Sequence, residues 1–343
     1  MHAIDKKAEL AIMTPFKTLM MVLVVVIHST ALWTGDWFGF PAEESPALGT
    51  LSIWLGTFCV PAFFFASGYI YSYLKRETTR YSNSLSVIKR KALRLLVPYC
   101  FVSAVWCGPV WALIFGPDRV VEKFILGGSP SQLWFLLALF WLFVISEAMH
   151  LLFPRLMERD WFVLGSCVVL YCVGIALGKL LPIDLWQVAT SFQYVPFFLV
   201  GYVFRRCNTD RFWAASPLLF AVIDILLLLL GDFAPSLGGA GRLASSILAL
   251  LARFAGVALA LSLLPLLSGL TDRLKGGALE RDSLTVYLFH QQLIWVVLLF
   301  LNRPGIPPVL VAIATFAFSL VVSLLIAEFL GRFKATRFLL GQK

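Results

Sequence analysis

At 343 residues, 60% hydrophobic and only 14% charged, the chain is too apolar for an ordinary soluble domain, which runs at roughly 45–50% apolar and about 25% charged. A mean hydropathy of +0.87 excludes a water-soluble fold in the same way. The formal charge of +9 invites a nucleic-acid partner, but the placement of the cations argues for membrane topology instead.

In chain order, apolar segments fall near 14–34, 50–74, 95–116, 131–151, 161–178, 190–206, 213–231, 242–268, 283–301 and 306–330. Each approaches the roughly 20 residues that a spanning helix needs. The fold class expected is an all-α integral membrane bundle of about ten transmembrane helices, forming one domain over 1–343. With the N-terminus inside, the inner segments hold 22 of the 28 Lys and Arg, and the outer loops hold only Arg119, Lys123, Lys179, Arg242 and Arg303. That bias over short loops places both termini in the cytoplasm. The first helix lacks a small-residue cleavage site and is expected to be retained. The first outer loop, 35–49, is acidic and carries Pro41 and Pro46, so little regular structure is expected there. In the first inner loop, Leu85, Ile88, Ala92 and Leu95 recur at helical spacing, which predicts an amphipathic helix on the inner membrane surface.

The six cysteines, Cys59, Cys100, Cys107, Cys167, Cys172 and Cys207, lie in or beside apolar spans without metal-binding spacing, and read as free thiols. No metal is expected.

Ionisable groups inside a spanning helix are costly and mark functional candidates. Lys17 and His28 lie eleven residues apart in the first helix. That is about three turns and about 16 Å of rise, so both project from nearly one face. A histidine near neutrality can take a proton from an alcohol, and a site within the bilayer keeps competing water away from an activated acyl donor. Glu147 reaches the depth of Lys17, and an ion pair between the two is expected. Asp224 and Arg253 fall at similar depth in adjacent antiparallel helices, and a structural salt bridge is expected there. His290 reads as a hydrogen-bonding residue of the ninth helix. Arg90, Lys91 and Arg94 share adjoining faces ahead of the third span. Such a cluster suits phosphates, and also suits anionic lipid as part of the positive-inside signal.

Several stretches, taken together, resemble membrane acyltransferase family 3, the ten-helix O-acetylases of cell-surface sugars. Lys17-Thr-Leu-Met-Met-Val-Leu-Val-Val-Val-Ile-His28 resembles the family's basic-x10-His signature. Val60-Pro-Ala-Phe-Phe-Phe-Ala-Ser67-Gly68-Tyr69 resembles its P-x-F-F-x-x-S-G-[FY] run, and Arg90-Lys-Ala-Leu-Arg94-Leu-Leu-Val-Pro98-Tyr99 its R-R-x-x-R-x-x-x-P-Y segment. Leu133-Trp134-Phe135-Leu136 and Asp282-Ser283-Leu-Thr-Val-Tyr287-Leu-Phe-His290 follow in order. The resemblance runs from about residue 12 to 330. Lysine replaces the commoner arginine at 17 and 91, which keeps the charge and loses the bidentate fork. Lysine at 17 is similar to the fucose-acetylase-like branch, and the chain looks like the stand-alone members.

The resemblance implies acetyl-CoA, or another short acyl-CoA, as donor from the cytoplasm. It implies a glycan or lipid-linked sugar hydroxyl as acceptor, in a cell inner membrane, with lipid and not nucleic acid around the protein. The residues it implies are His28 as general base, and Lys17, Arg90, Lys91, Arg94 and Ser67 for the donor. Asp36, eight residues past His28 at the outer end, is placed to orient the imidazole or touch the acceptor, though a plain solvated loop acid is favoured. Trp134, Glu147 and His290 are left for the acceptor. For Ser67 close helix packing is favoured over donor contact, and for Trp134 an interfacial anchor over sugar stacking. Direct transfer and an acyl-histidine relay stay open. The rival is a small-solute transporter or lipid-linked glycan flippase, but the inverted repeats and paired broken helices of transporters are not evident.

Overall fold

The structure is a computed structural model that describes residues 6–35 and 39–342. Among these residues there is no β-strand, and ten long helices follow one another. They are α1 (Lys6–Thr30), α2 (Pro46–Arg76), α3 (Ser84–Val102), α4 (Trp134–Leu152), α5 (Asp160–Leu180), α6 (Val188–Phe204), α7 (Pro217–Phe233), α8 (Gly239–Ser262), α9 (Ser283–Leu301) and α10 (Pro308–Leu330). Nine helical segments among the described residues are long and apolar enough to cross a membrane. The remaining helix, α6, has 17 residues, about 26 Å of rise and the lower limit for a span. Its shortness is tolerable because it is enclosed by protein, with Val195 to Leu199 all buried.

Local chemistry sets the helix starts. Proline stands in the first turn of α2, α7 and α10, where its missing N–H costs nothing. Asn83 caps α3 by accepting from Ser86 N at 2.9 Å. Asp184 caps α6, accepting from Ala189 N at 2.7 Å and Thr190 N at 2.9 Å, which satisfies donors that a helix start leaves open.

Two boundaries differ from expectation. The basic stretch after Ser84 is not a separate surface helix. It is the first turns of α3, which continues through a π turn at Ser103–Cys107 to Phe115, a 32-residue span. Val87 and Leu95 are its buried positions, while Leu85 is 76% exposed. Helix α1 also begins well before residue 14, because Glu9 is drawn into the protein interior.

The core is organised on α2, which buries Phe58, Phe64, Phe65, Tyr69 and Tyr71. It crosses α6 at backbone contact: a Cβ on Gly68 would collide with the Phe198 carbonyl, and one on Gly201 with the Phe65 carbonyl. Small residues at a crossing let helices approach where lipid supplies no hydrophobic drive. Gly68 thereby permits the close approach that a larger residue would block. Helices α5, α7 and α10 lie outermost and expose long apolar faces.

Buried acids find partners inside the bundle. Glu9 has no exposed surface and accepts from Tyr69 Oη at 2.5 Å, from Trp213 Nε1 at 2.8 Å and from Thr209 Oγ1. Glu147, equally buried, accepts from Lys75 Nζ at 2.6 Å and from Tyr71 Oη at 2.9 Å. The expected Lys17–Glu147 pair is thus replaced by Lys75–Glu147, because Lys75 ends α2 directly beside α4. The expected Asp224–Arg253 bridge is absent too. Asp224 turns to α2 and accepts from Trp54 Nε1 at 3.0 Å, whereas Arg253 lies in the field of Tyr194 on α6. All six cysteines are free thiols.

Gly68→Ala or Gly201→Ala should lower stability by about 1–3 kcal/mol through overpacking, read as a lower melting temperature in detergent. Removing one partner of a buried ion pair costs about 3–5 kcal/mol, whereas replacing both by apolar groups is often neutral. Lys75→Met should therefore destabilise strongly and Lys75→Met/Glu147→Met much less. Equal losses in a double-mutant cycle would contradict the pairing.

Candidate functional site

Helix α1 is unbroken from Lys6 to Thr30, so Lys17 and His28 keep their spacing of about three turns along one face. Each end of that face meets a distinct group of residues.

At the basic end, Lys17 Nζ stands 4.4 Å from the centroid of the Phe63 ring. From α3, Lys91 Nζ stands 3.7 Å from the Phe143 centroid and 5.5 Å from that of Tyr81. Arg90 lies 5.6 Å from Tyr81 and donates to the Arg80 carbonyl. These cations gather against their own repulsion. Lys91 sits in the field of Lys17, Arg94, Arg80 and Arg90, and Lys17 in that of Arg94. Tyr81 is buried among them, and burial pushes its hydroxyl up despite the opposing pull of Arg80, Arg90 and Arg94. Among the described residues no carboxylate pairs with Lys17, Arg90, Lys91 or Arg94. Aromatic faces offer these cations partial compensation through the ring quadrupole, which leaves a strong field for an anion.

At the other end, the rings of His28 and His290 lie 5.1 Å apart at 49°. Nδ1 of His290 contacts the carbonyls of Tyr287 at 2.8 Å and Val286 at 3.2 Å. Carbonyls only accept, so Nδ1 carries the hydrogen and Nε2 of the neutral ring is an acceptor. Nε2 is buried without a hydrogen-bond partner among the described residues. The α9 backbone here is tied to the start of α4 by two glutamines. Gln132 Nε2 donates to Gln292 Oε1 at 2.7 Å and to the Leu288 carbonyl at 2.8 Å. Gln292 Nε2 returns a bond to Gln132 Oε1 at 3.1 Å, and the Tyr287 hydroxyl donates to the Gln132 carbonyl.

A series of ring contacts joins the two ends. From Phe63 under Lys17 it passes to Phe135 at 4.9 Å, Tyr287 at 5.6 Å, His290 at 5.7 Å and His28 at 5.1 Å. Helices α1, α2, α4 and α9 all contribute.

The structure thus brings Lys17, Arg90, Lys91 and Arg94 together, and separately His28 and His290. Glu147 is fully buried and bound by Tyr71 at one oxygen and Lys75 at the other. Ser67 is buried, and its hydroxyl has no partner among the described residues. Trp134 is partly buried at the start of α4. It packs inward at 5.4 Å from Tyr194 and 6.4 Å from Phe64. Asp36 lies outside the described residues. Reading the sequence for ionisable groups alone missed Lys75, Tyr81, Gln132, Tyr287 and Gln292. A pair of amides at 291–292 inside an apolar span was the available signal for the last of these. Among the described residues no three His, Cys, Asp or Glu side chains gather as metal ligands would.

No curated protein and no solved structure matches the chain. Residues 16–328 match a family described as an acyltransferase domain, that of acyltransferase family 3. The match runs from just before Lys17 almost to the end of α10 and takes in both ends of the α1 face. This multi-pass, all-helical membrane protein belongs to membrane acyltransferase family 3.

Proposed function

We propose that the protein transfers an acetyl or other short acyl group from acyl-CoA to a hydroxyl of a cell-surface or lipid-linked glycan. The membrane would be the cell inner membrane, with the basic end in the cytoplasm. One observation carries this reading: cations of α1 and α3 converge, with no carboxylate pairing with them among the described residues, at one end of an α1 face whose other end holds His28.

Lys17, Arg90, Lys91 and Arg94 supply the charge that the donor's phosphates require, by charge-assisted hydrogen bonds. Bound there, the donor presents a thioester to the interior. His28 acts as general base, holding the proton of the sugar hydroxyl as its oxygen attacks the thioester carbon. The C–O bond of the ester forms, the C–S bond breaks, and the proton held at His28 passes to the departing thiolate. His290 offers Nε2 as an acceptor beside His28 for a neighbouring hydroxyl of the sugar, which would hold the acceptor in place while His28 takes the proton of the attacking one, and the Gln132–Gln292 pair keeps α9 in register for that contact. The low-dielectric surroundings strengthen each of these interactions and hold back water that would hydrolyse the thioester.

Purified protein in vesicles, given labelled acetyl-CoA and a glycan acceptor, should release coenzyme A in step with acceptor labelling. His28→Ala should lower that rate by about 10²-fold or more at unchanged protein level and melting temperature, and undiminished transfer would overturn the assignment. Lys91→Gln should raise the donor KM by about tenfold or more, the scale of a lost charged hydrogen bond, with kcat little altered. Lys91→Arg should restore most of the affinity. A kcat loss without a KM change would place Lys91 elsewhere than on the donor.

A further inference from the structure

A cavity of about 460 Å³ opens on the outside of the bundle, between the end of α4 and the first turns of α5. Met149 and Phe153 form one wall, and Trp161, Gly165 and Val169 the other. Its depth comes from Gly165, where an added Cβ would meet nothing within 4 Å. Trp161 and Val169 are 68% and 63% exposed, so the cavity is a groove facing hydrocarbon. From Trp161 to Leu170 it follows α5 for about 14 Å of rise.

The connecting segment 153–160 closes the groove at the basic end of the bundle, and its charges are matched unevenly. Glu158 accepts from Arg76 through both oxygens, and this guanidinium holds the carboxyl below the usual range. Asp160 pairs with Arg206 at 3.1 Å. Both acids of the segment are thereby engaged by arginines from α2 and from the end of α6. Arg155 and Arg159 remain, both exposed, and among the described residues neither has an ion-pair partner.

We propose that this groove is a binding site for an anionic phospholipid of the leaflet on the basic side. One acyl chain lies in the notch at Gly165, and the phosphate rests on Arg155 and Arg159. The ligand class follows from the two ends of the groove. Its walls are apolar and face the bilayer, so the occupant has a hydrocarbon chain. Two guanidiniums without counter-ions present forked donors at headgroup depth, suited to phosphate. Basic pockets between helices on this side of a membrane hold anionic headgroups. A zwitterionic headgroup brings a cation of its own into the same field, and the two acids that could have received it are already taken. This proposal stands independently of the donor and acceptor assigned above.

The full-length protein, reconstituted in vesicles of equal phosphatidylglycerol and phosphatidylcholine and then extracted in mild detergent, is examined by native mass spectrometry for retained lipid. Phosphatidylglycerol should be retained over phosphatidylcholine, and Arg155→Gln/Arg159→Gln should cut its retention several-fold while leaving phosphatidylcholine unchanged. Gly165→Leu fills open space on a helix that favours leucine, so it should keep its melting temperature and lower retention of phosphatidylglycerol. Equal retention of the two lipids by the unmodified protein would overturn the proposal. So would unchanged preference in the double glutamine variant, or unchanged retention in a well-folded Gly165→Leu protein.

Discussion

Two carboxylates with no solvent exposure, Glu9 and Glu147, hold the basic half of this bundle onto α2. They bind Tyr69 and Tyr71 respectively. Residues two apart point to different sides of a helix, so α2 is gripped on one side from α1 and the segment after α6, and on the other from α4. A carboxylate inside a membrane protein is tolerable only when fully hydrogen-bonded, and here each receives at least two donors. The same bonds orient α1, α2 and α4, three of the helices that contribute to the site.

That arrangement also explains the site's electrostatics. Glu147 is committed to Lys75, and among the described residues no carboxylate pairs with Lys17 or Lys91. The cations lean on the faces of Phe63, Phe143 and Tyr81 instead. An aromatic face compensates a cation less than a carboxylate does, so an incoming anion finds charge that has not been cancelled. Farther along α1 the chemistry changes from charge to neutral hydrogen bonding. Histidine, glutamine and tyrosine side chains from α1, α4 and α9 meet there, and backbone carbonyls fix the ring of His290.

The helical architecture was legible in the sequence because apolar runs of spanning length and the inner bias of Lys and Arg are direct consequences of bilayer physics. The spacing of Lys17 and His28 was legible too, since a continuous helix converts residue number into distance. Partner choice was not. Depth arguments placed Glu147 near Lys17 and Asp224 near Arg253, but depth says nothing of azimuth, and Lys75 and Trp54 were the neighbours in the right direction. The start of α3 misled for a similar reason. Its basic amphipathic pattern is common to a surface helix and to the foot of a span, and only packing of Val87 and Leu95 separates the two. The His28–His290 contact joins residues 262 positions apart and has no local signature.

Because α1 runs on without a proline from Lys17 to His28, the separation between them is a fixed gauge. In the proposed reaction neither end can slide toward the other, so a donor is measured by the reach of its tether as well as by the charge of its handle. A donor whose flexible arm is too short would dock and never arrive, and one of matching length would need no closing motion of the protein to bring its reactive carbon to the ring.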